Sequence, residues 1–272
     1  MNKDTLVVAL SDMHTGSTTA LFPDRFITFP DGSNHTPNSK QKRIHAHFIE
    51  CAENVKEARK GKRLVIVHNG DATEGNHHNS QQIRPMEKSD QINVHIELMI
   101  LFKKIIDFHR GDELYYTLGT ETHTENSEHE IGKHLGAVQA NDGLYVFNEL
   151  QKEINGKMFW FTHQGPSRGK GANRGNGIRN WLKHLFIDLT AENIKPPHYV
   201  VSSHFHDPDW GGYIGRDNGK YHKMELIITA SWQNKTRYGY DVAPFVLNKV
   251  GLHHITVAKG GEIGDPVELL MV

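Results

Sequence analysis

Short runs of aliphatic, β-branched or aromatic residues alternate along the chain with longer stretches whose apolar positions recur every three or four residues. The short runs predict strands over Thr5–Leu10, Arg63–His68, Glu113–Leu118, Met158–Thr162 and Tyr199–Ser202. The longer stretches predict helices. One runs from about Lys42 to Arg59, with Ile44, Phe48, Ala52 and Val55 on one face and Gly61 as a stop. A second spans about Ser89 to His109, carried by Ile92, Ile96, Met99, Leu101 and Ile106 and stopped by Gly111. A third begins near Asn176, with Ile178, Trp181, Leu182, Leu185 and Leu189 at helical spacing. From Lys223 onward the pattern is β throughout, over Met224–Ala230, His253–Ala258 and Val267–Val272. Strands alternating with helices place the chain in the α/β class. No internal repeat or low-complexity linker interrupts it, so a single domain over residues 1–272 is expected. Ser17–Ser39, with Pro23, Pro30 and Pro37, and Gly165–Gly177, with five glycines, read as long loops of the kind that flank binding sites.

Composition narrows the function classes. Acidic and basic residues nearly cancel, at a formal net charge of −1, so no global field marks a nucleic-acid coat or a membrane-surface protein. Cys51 is the single cysteine, which excludes an intramolecular disulfide and a cysteine-rich zinc site and fits a reducing compartment. Met1–Leu10 lacks signal-peptide anatomy, and no apolar run approaches the ~20 residues of a membrane span, so a cytoplasmic protein without a membrane partner is expected. Twenty histidines against four tryptophans is a skewed ratio, and their positions decide its meaning.

Those positions cluster at strand ends. The first strand runs into Ser11-Asp12-Met13-His14 and the second into Asn69-Gly70-Asp71. The fourth ends at His163, and the fifth at Ser203-His204-Phe205-His206. Ligands of open α/β sheets bind at the carboxyl ends of strands, so one crevice is expected to collect these carboxylates and imidazoles. Strand alternation predicts that the two side chains of Asp12-x-His14 leave on one side, as do those of His204-x-His206. Carboxylate with imidazole and no thiolate suits Zn, Fe, Mn or Ni. Asp71, after a glycine that permits a tight turn, is placed to bridge two ions, and two ions ~3.5–4 Å apart can clamp a phosphate.

The ordered set of Asp-x-His, Gly-Asp, a lone His and His-x-His resembles the calcineurin-like metallophosphoesterase superfamily, whose pattern is D-x-H, G-D, G-N-H-D/E, H and G-H-x-H. The resemblance spans Leu6 to His206. It implies two β-sheets packed face to face with helices outside, an α/β/β/α sandwich. It also implies two divalent metal ions, Mn2+, Zn2+, Fe2+ or Ni2+. Asp12, His14 and His206 would hold one ion, His163 and His204 the other, and Asp71 would bridge.

The family's G-N-H-D/E segment is altered. Gly75-Asn76-His77 follows Asp71 too closely to be its equivalent. At the end of the third strand the chain reads Gly119-Thr120-Glu121-Thr122-His123. Thr120 stands where the family has a metal-binding Asn, and a G-T-x-x-H segment resembles the bacteriophage-encoded type of metallophosphoesterase. His123 is the preferred general acid and Glu121 the alternative acid or ligand. His77 and His78, on the rim of the Asp71 loop, are candidate phosphate contacts; Glu74 receives no role.

From Gln164 to Ile187 there is no acidic residue, while Arg168, Lys170, Arg174, Arg179 and Lys183 are present. Arg168, Lys170 and Arg174, following His163 directly, are candidate substrate-binding residues. The expected function is a hydrolase: a metal-dependent phosphodiesterase or nuclease that cleaves phosphate esters by a metal-activated water, with Asp71 and His123 as catalytic residues. A nucleic acid or nucleotide is the candidate substrate partner. A phosphomonoesterase, or phosphatase, is the alternative enzyme, and a catalytically weak metal-binding interaction scaffold the alternative of another class. Phe22, Phe26 and Phe29 of the first loop, with Trp232 and Tyr238, either stack on a base or fold onto the body.

Overall fold

Side-chain alternation along the strands builds two five-stranded mixed sheets. The structure, a computed structural model, describes residues 3–76, 82–124, 127–169, 171–237 and 247–272. In chain order it contains β1 (Thr5–Leu10), β2 (Ile27–Thr28), β3 (Asn34–His35), α1 (Ser39–Arg59), β4 (Arg63–Asn69), α2 (Lys88–Ile105), β5 (Glu113–Thr117), α3 (Glu121–Thr124), α4 (Ser127–Leu135), β6 (Leu150–Ile154) and β7 (Lys157–Phe161). There follow α5 (Asn176–Ala191), β8 (Tyr199–Ser202), β9 (Asp209–Asp217), β10 (Lys220–Ile228), β11 (Val250–Val257) and β12 (Val267–Met271). The first sheet has the order β12-β11-β1-β4-β5 and the second β6-β7-β8-β10-β9; β2 and β3 form a separate ribbon. β1, β4 and β5 run parallel, as do β7, β8 and β10, with antiparallel strands at the flanks.

The two faces of β1 explain its unbroken apolar run. Val7 and Ala9, with Val65 and Val67 of β4, meet Phe159, Phe161, Val201 and Ile227 of the second sheet. Leu6, Val8 and Leu10 turn the other way, onto Ile44, Phe48 and Val55 of α1 and Met99 and Phe102 of α2. α5 covers the far side of the second sheet, with Ile178, Leu182 and Phe186 against Val200, Met224 and Leu226. A strand buried on both faces reads as continuous hydrophobic sequence. No helix among the described residues is long and apolar enough to cross a membrane.

Several boundaries differ from the sequence expectation, each for a local reason. α1 starts at Ser39 because Asn38 caps it, accepting from the Lys40 and Gln41 amides, while the Gln41 side chain accepts from the Asn38 amide. α2 ends at Ile105, not near His109: Asp107 takes a left-handed φ of 53° and turns the chain. Six elements were not expected: the short β2, β3 and α3, and β6, β9 and α4. β6 turns into β7 through Asn155-Gly156, and β9 into β10 through Asn218-Gly219, all four residues having positive φ. The Ser17–Ser39 loop folds inward, with Phe22 and Phe29 in the core and Phe26 57% exposed. Trp232 is also core, while Tyr238 lies outside the described residues.

Asn69, at the carboxyl end of β4, joins both sheets. Its Nδ2 donates to the Thr162 carbonyl at 2.8 Å and to Ser203 Oγ at 2.7 Å, and its Oδ1 accepts from Thr117 Oγ1 at 2.9 Å. Thr229 Oγ1 donates to the same Ser203 hydroxyl at 2.9 Å and lies 2.6 Å from Ser11 Oγ. This buried relay touches the ends of β1, β4, β5, β7, β8 and β10. Asn69→Ala would leave several buried groups without partners. We expect a loss of about 1–3 kcal/mol in urea unfolding, with an unchanged denaturant slope.

Candidate metal centre

The loops leaving β1 and β4 run side by side. Asp12 N donates to the Gly70 carbonyl at 3.0 Å, His14 N to the Asp71 carbonyl at 3.1 Å and Thr15 N to the Ala72 carbonyl at 3.1 Å. Within them the backbone leaves strand geometry. Asp12, His14, Asp71, His204 and His206 all have left-handed φ, between 43° and 72°. Such residues are uncommon and costly outside glycine, and strained conformations of this kind cluster at functional sites in general. The expectation that strand alternation aims these pairs is therefore corrected: the side chains converge because the backbone reverses locally after each strand.

Two groups of possible ligand atoms result. Asp12, His14 and His206 form one and Asp71, His163 and His204 the other, each with its atoms within 4.8 Å of one another. In the first, His206 Nε2 lies 3.2 Å from Asp12 Oδ1 and 3.1 Å from His14 Nε2. Asp71 joins the two groups through a single oxygen, since Oδ2 is 3.1 Å from His163 Nε2 and 3.8 Å from His14 Nε2. Thr120 belongs to the second group: its hydroxyl lies 3.3 Å from His163 Nε2 and 3.2 Å from His204 Nδ1, while its amide donates to Asp71 Oδ1 at 2.6 Å. Gly119 permits that approach, because a Cβ there would stand 2.2 Å from Asp71 N and Oδ1.

The outward nitrogens of the histidines are held by a second ring of groups. His163 Nδ1 donates to the Asn69 carbonyl at 2.8 Å, which turns Nε2 inward toward Asp71. His14 Nδ1 lies 3.0 Å from Glu74 Oε2, and Gln233 Nε2 donates to that same oxygen at 2.8 Å. His123 packs edge-on against His14, with ring centroids 4.8 Å apart, and its Nδ1 donates to the Glu74 carbonyl at 2.6 Å. His14, Glu74 and His123 thus form a third group of possible ligands. Because His14 already turns Nε2 to the first group, we read Glu74 as its orienting partner. Glu121 is exposed and belongs to none of the three groups.

Burial opposes every charge here; at Asp12, Asp71, His14 and His163 the partners win, whereas burial, and then His163, lower the pKa of His204. Burial would raise the pKa of Asp71, but His163 and then His14 hold it at about 2. Burial likewise opposes the ionisation of Asp12, yet His206, His163 and His14 keep its pKa far below the carboxylate range. His14 is raised to about 9 against burial by Glu74, Asp71 and Asp12, and His163 to about 9 by Asp71 and Asp12. Without a cation, the centre therefore carries its positive charge as protons. His68 and His95 contrast with it: fully buried behind the sheet, they are driven neutral by desolvation, His95 to about 3.

The donor set fits divalent cations. Ligands about 2.0–2.2 Å from a shared ion stand roughly 3.0–3.5 Å apart, the spacing of the inward nitrogens and oxygens here. Imidazole nitrogens facing each other at 3.1 Å in a dry site are relieved by a cation between them. Asp12, His14 and His206 could hold one ion; His163, His204 and Thr120 could hold a second, with Asp71 between.

The basic segment is arranged differently from expectation. Arg168 Nε pairs with Asp207 Oδ2 at 2.5 Å, and Arg174 Nε with Asp209 Oδ2 at 3.1 Å. Asp207 follows His206 directly and Asp209 two residues later, so two bases of a run without acids are paired from elsewhere in the fold. Arg168 and Arg174, expected as substrate-binding residues, are therefore found paired with acids of the segment that follows His206. His77, His78 and Lys170 lie outside the described residues.

No protein-family model matches the chain, and no curated protein matches it. Among solved structures, a solution NMR structure of the Thermotoga maritima protein TM1076 is similar over 97% of this chain and 98% of its own length, at 13% identity and a TM-score of 0.36. That degree of likeness is too low to carry a fold family or a function across.

Cation binding must displace protons from His14 and His163. Affinity for Zn2+ or Mn2+ should rise from about pH 6 to pH 9, with about two protons released per filled centre at neutral pH. Calorimetry in two buffers of different ionisation enthalpy reads this directly; equal heats in both would contradict it. Glu74→Gln removes the charge that orients His14, and metal affinity should fall about 10–100-fold while the protein stays folded.

Proposed function

We propose that the protein is a metal-dependent phosphoric ester hydrolase of the calcineurin-like metallophosphoesterase type. One observation carries this reading: a single carboxylate oxygen, Asp71 Oδ2, faces two separate groups of imidazole and carboxylate donors. Two packed sheets with helices on their outer faces, and donors gathered at strand ends, are in keeping with that type. Bound there, two divalent cations would supply Lewis acidity, neutralising phosphoryl oxygens and acidifying water.

The chain's own residues divide the remaining work. Asp71 sets the separation of the two groups, and Gly119 lets the Thr120 amide pin it from one side. Glu74 and Asn69 fix the rings of His14 and His163, so neither needs to reorganise when charge develops on a substrate. His123 is the favoured general acid. Its Nδ1 is committed to the Glu74 carbonyl, so proton exchange with a leaving oxygen falls to Nε2. Burial, and then His14, lower its pKa, so the doubly protonated ring that would donate from Nε2 is a stronger acid and a smaller fraction at neutral pH. The phosphodiester and phosphomonoester classes separate by experiment, because pairing of Arg168 and Arg174 removes the charge argument for a polymeric diester.

The test is hydrolysis of bis-p-nitrophenyl phosphate and p-nitrophenyl phosphate with added Mn2+ and with chelator. Turnover that needs metal and falls below about a tenth in Asp71→Asn is expected, since a dinuclear centre supplies several kcal/mol of barrier lowering. Full activity in chelator, or an Asp71→Asn variant as fast as the parent, would overturn the reading.

A further inference from the structure

A cleft of about 800 Å³ opens directly beside the candidate centre, where Gly119 and His163 form part of its wall. Its position follows from the topology. β5 and β6 are edge strands of the two sheets, and the segment entering β6 crosses the end of β5, with Leu118 N donating to the Phe147 carbonyl at 2.8 Å. The space between the two edges is left open at the ligand end.

The chemistry of the walls is specific. Asn148, Gln151 and Gln164, three carboxamide residues, line it with Glu149, which is the single formal charge apart from His163 of the candidate centre; no lysine or arginine lines the cleft. Among the described residues, these four side chains have no hydrogen-bond or ion-pair partner in the protein. Leu118 and Phe147 supply apolar surface in the same wall. Carboxamides both donate and accept, and beside an aromatic ring they match a flat heterocycle with polar edges. Glu149 accepts from amino or hydroxyl donors and repels anions. A volume of this size suits one small organic group.

We propose that this cleft binds an uncharged, nucleoside-like group, the organic substituent of a phosphate ester whose phosphate sits at the adjacent centre. Only the place of the phosphate rests on the phosphoesterase reading. A polynucleotide is disfavoured: beyond the candidate centre, further phosphates would lie along a wall whose one charge is negative, and Arg168 and Arg174 are already paired with Asp207 and Asp209.

The test reads binding rather than turnover. The 15N-labelled protein, in chelator, is titrated with thymidine and its amide spectrum followed. Saturable shifts are expected at Gly119, Phe147, Gln151 and Gln164, and Gln151→Ala should weaken binding about threefold to tenfold, the worth of one neutral hydrogen bond. A short oligothymidylate should fail to displace thymidine from the parent protein and should compete in Glu149→Lys. Absence of saturable shifts at those amides, or displacement by the oligomer in the parent, overturns the proposal. Since neither metal nor hydrolysis is read, failure here leaves the ester assay unaffected, and failure of that assay leaves thymidine binding measurable.

Discussion

The carboxamide of Asn69 joins the two sheets at the end where both must open. Each sheet needs polar side chains at its strand ends for chemistry, and polar groups between packed sheets are costly unless paired. Asn69 meets that demand with three bonds to β5, the end of β7 and the end of β8. Its own carbonyl receives His163 Nδ1, so the bracing of the sheets and the aiming of a ligand run through one residue. Ser203 and Thr229 extend the relay to Ser11, one residue before Asp12. The candidate centre is therefore supported from beneath by hydroxyls and amides that are all satisfied. A half-satisfied network would be worse than an apolar core.

Above that relay the electrostatics are unforgiving. Two carboxylates and several imidazoles are crowded where water is largely excluded, and five residues hold left-handed backbone conformations. Neither condition stabilises a fold. Both are tolerated because the histidines can carry charge, as protons or in exchange for metal ions, and because adjacent backbone bonds over-determine the loops. His68 and His95 show what happens to the same residue type without carboxylate partners: burial wins and the ring stays neutral. For His14, His163, His68 and His95 the partner, rather than burial alone, decides the charge.

The sequence made the parallel strands and the donors at their ends legible, because both are written in short contiguous runs. Thr5–Leu10 and Tyr199–Ser202 have the expected bounds. Two missed strands were signalled in the chain by Asn155-Gly156 and Asn218-Gly219, the pairs that hairpin turns favour, but β6 and β9 are too polar to stand out by hydrophobicity. α4 was hidden for a different reason: it buries Glu128, whose carboxylate accepts from the Ala72 amide, and no periodicity announces a buried acid. Glu74 and Asn69 were equally silent, since a residue that orients a ligand is defined by what lies across the fold.

The arginines teach the sharper lesson about charge. Reading Gln164 to Ile187 alone gives an uncompensated basic stretch, whereas the fold sets Asp207 and Asp209 against it. Charge is a property of neighbourhoods, and the neighbours arrive from another strand. The cleft beside the centre follows the same rule, lined by carboxamide residues and a carboxylate where a nucleic-acid groove would need cations. Around the candidate centre, then, positive charge is concentrated on the histidines and the ions they can hold. On the proposed reading, a substrate would meet it only at its phosphate, and the rest of the molecule would be selected by hydrogen bonding and shape.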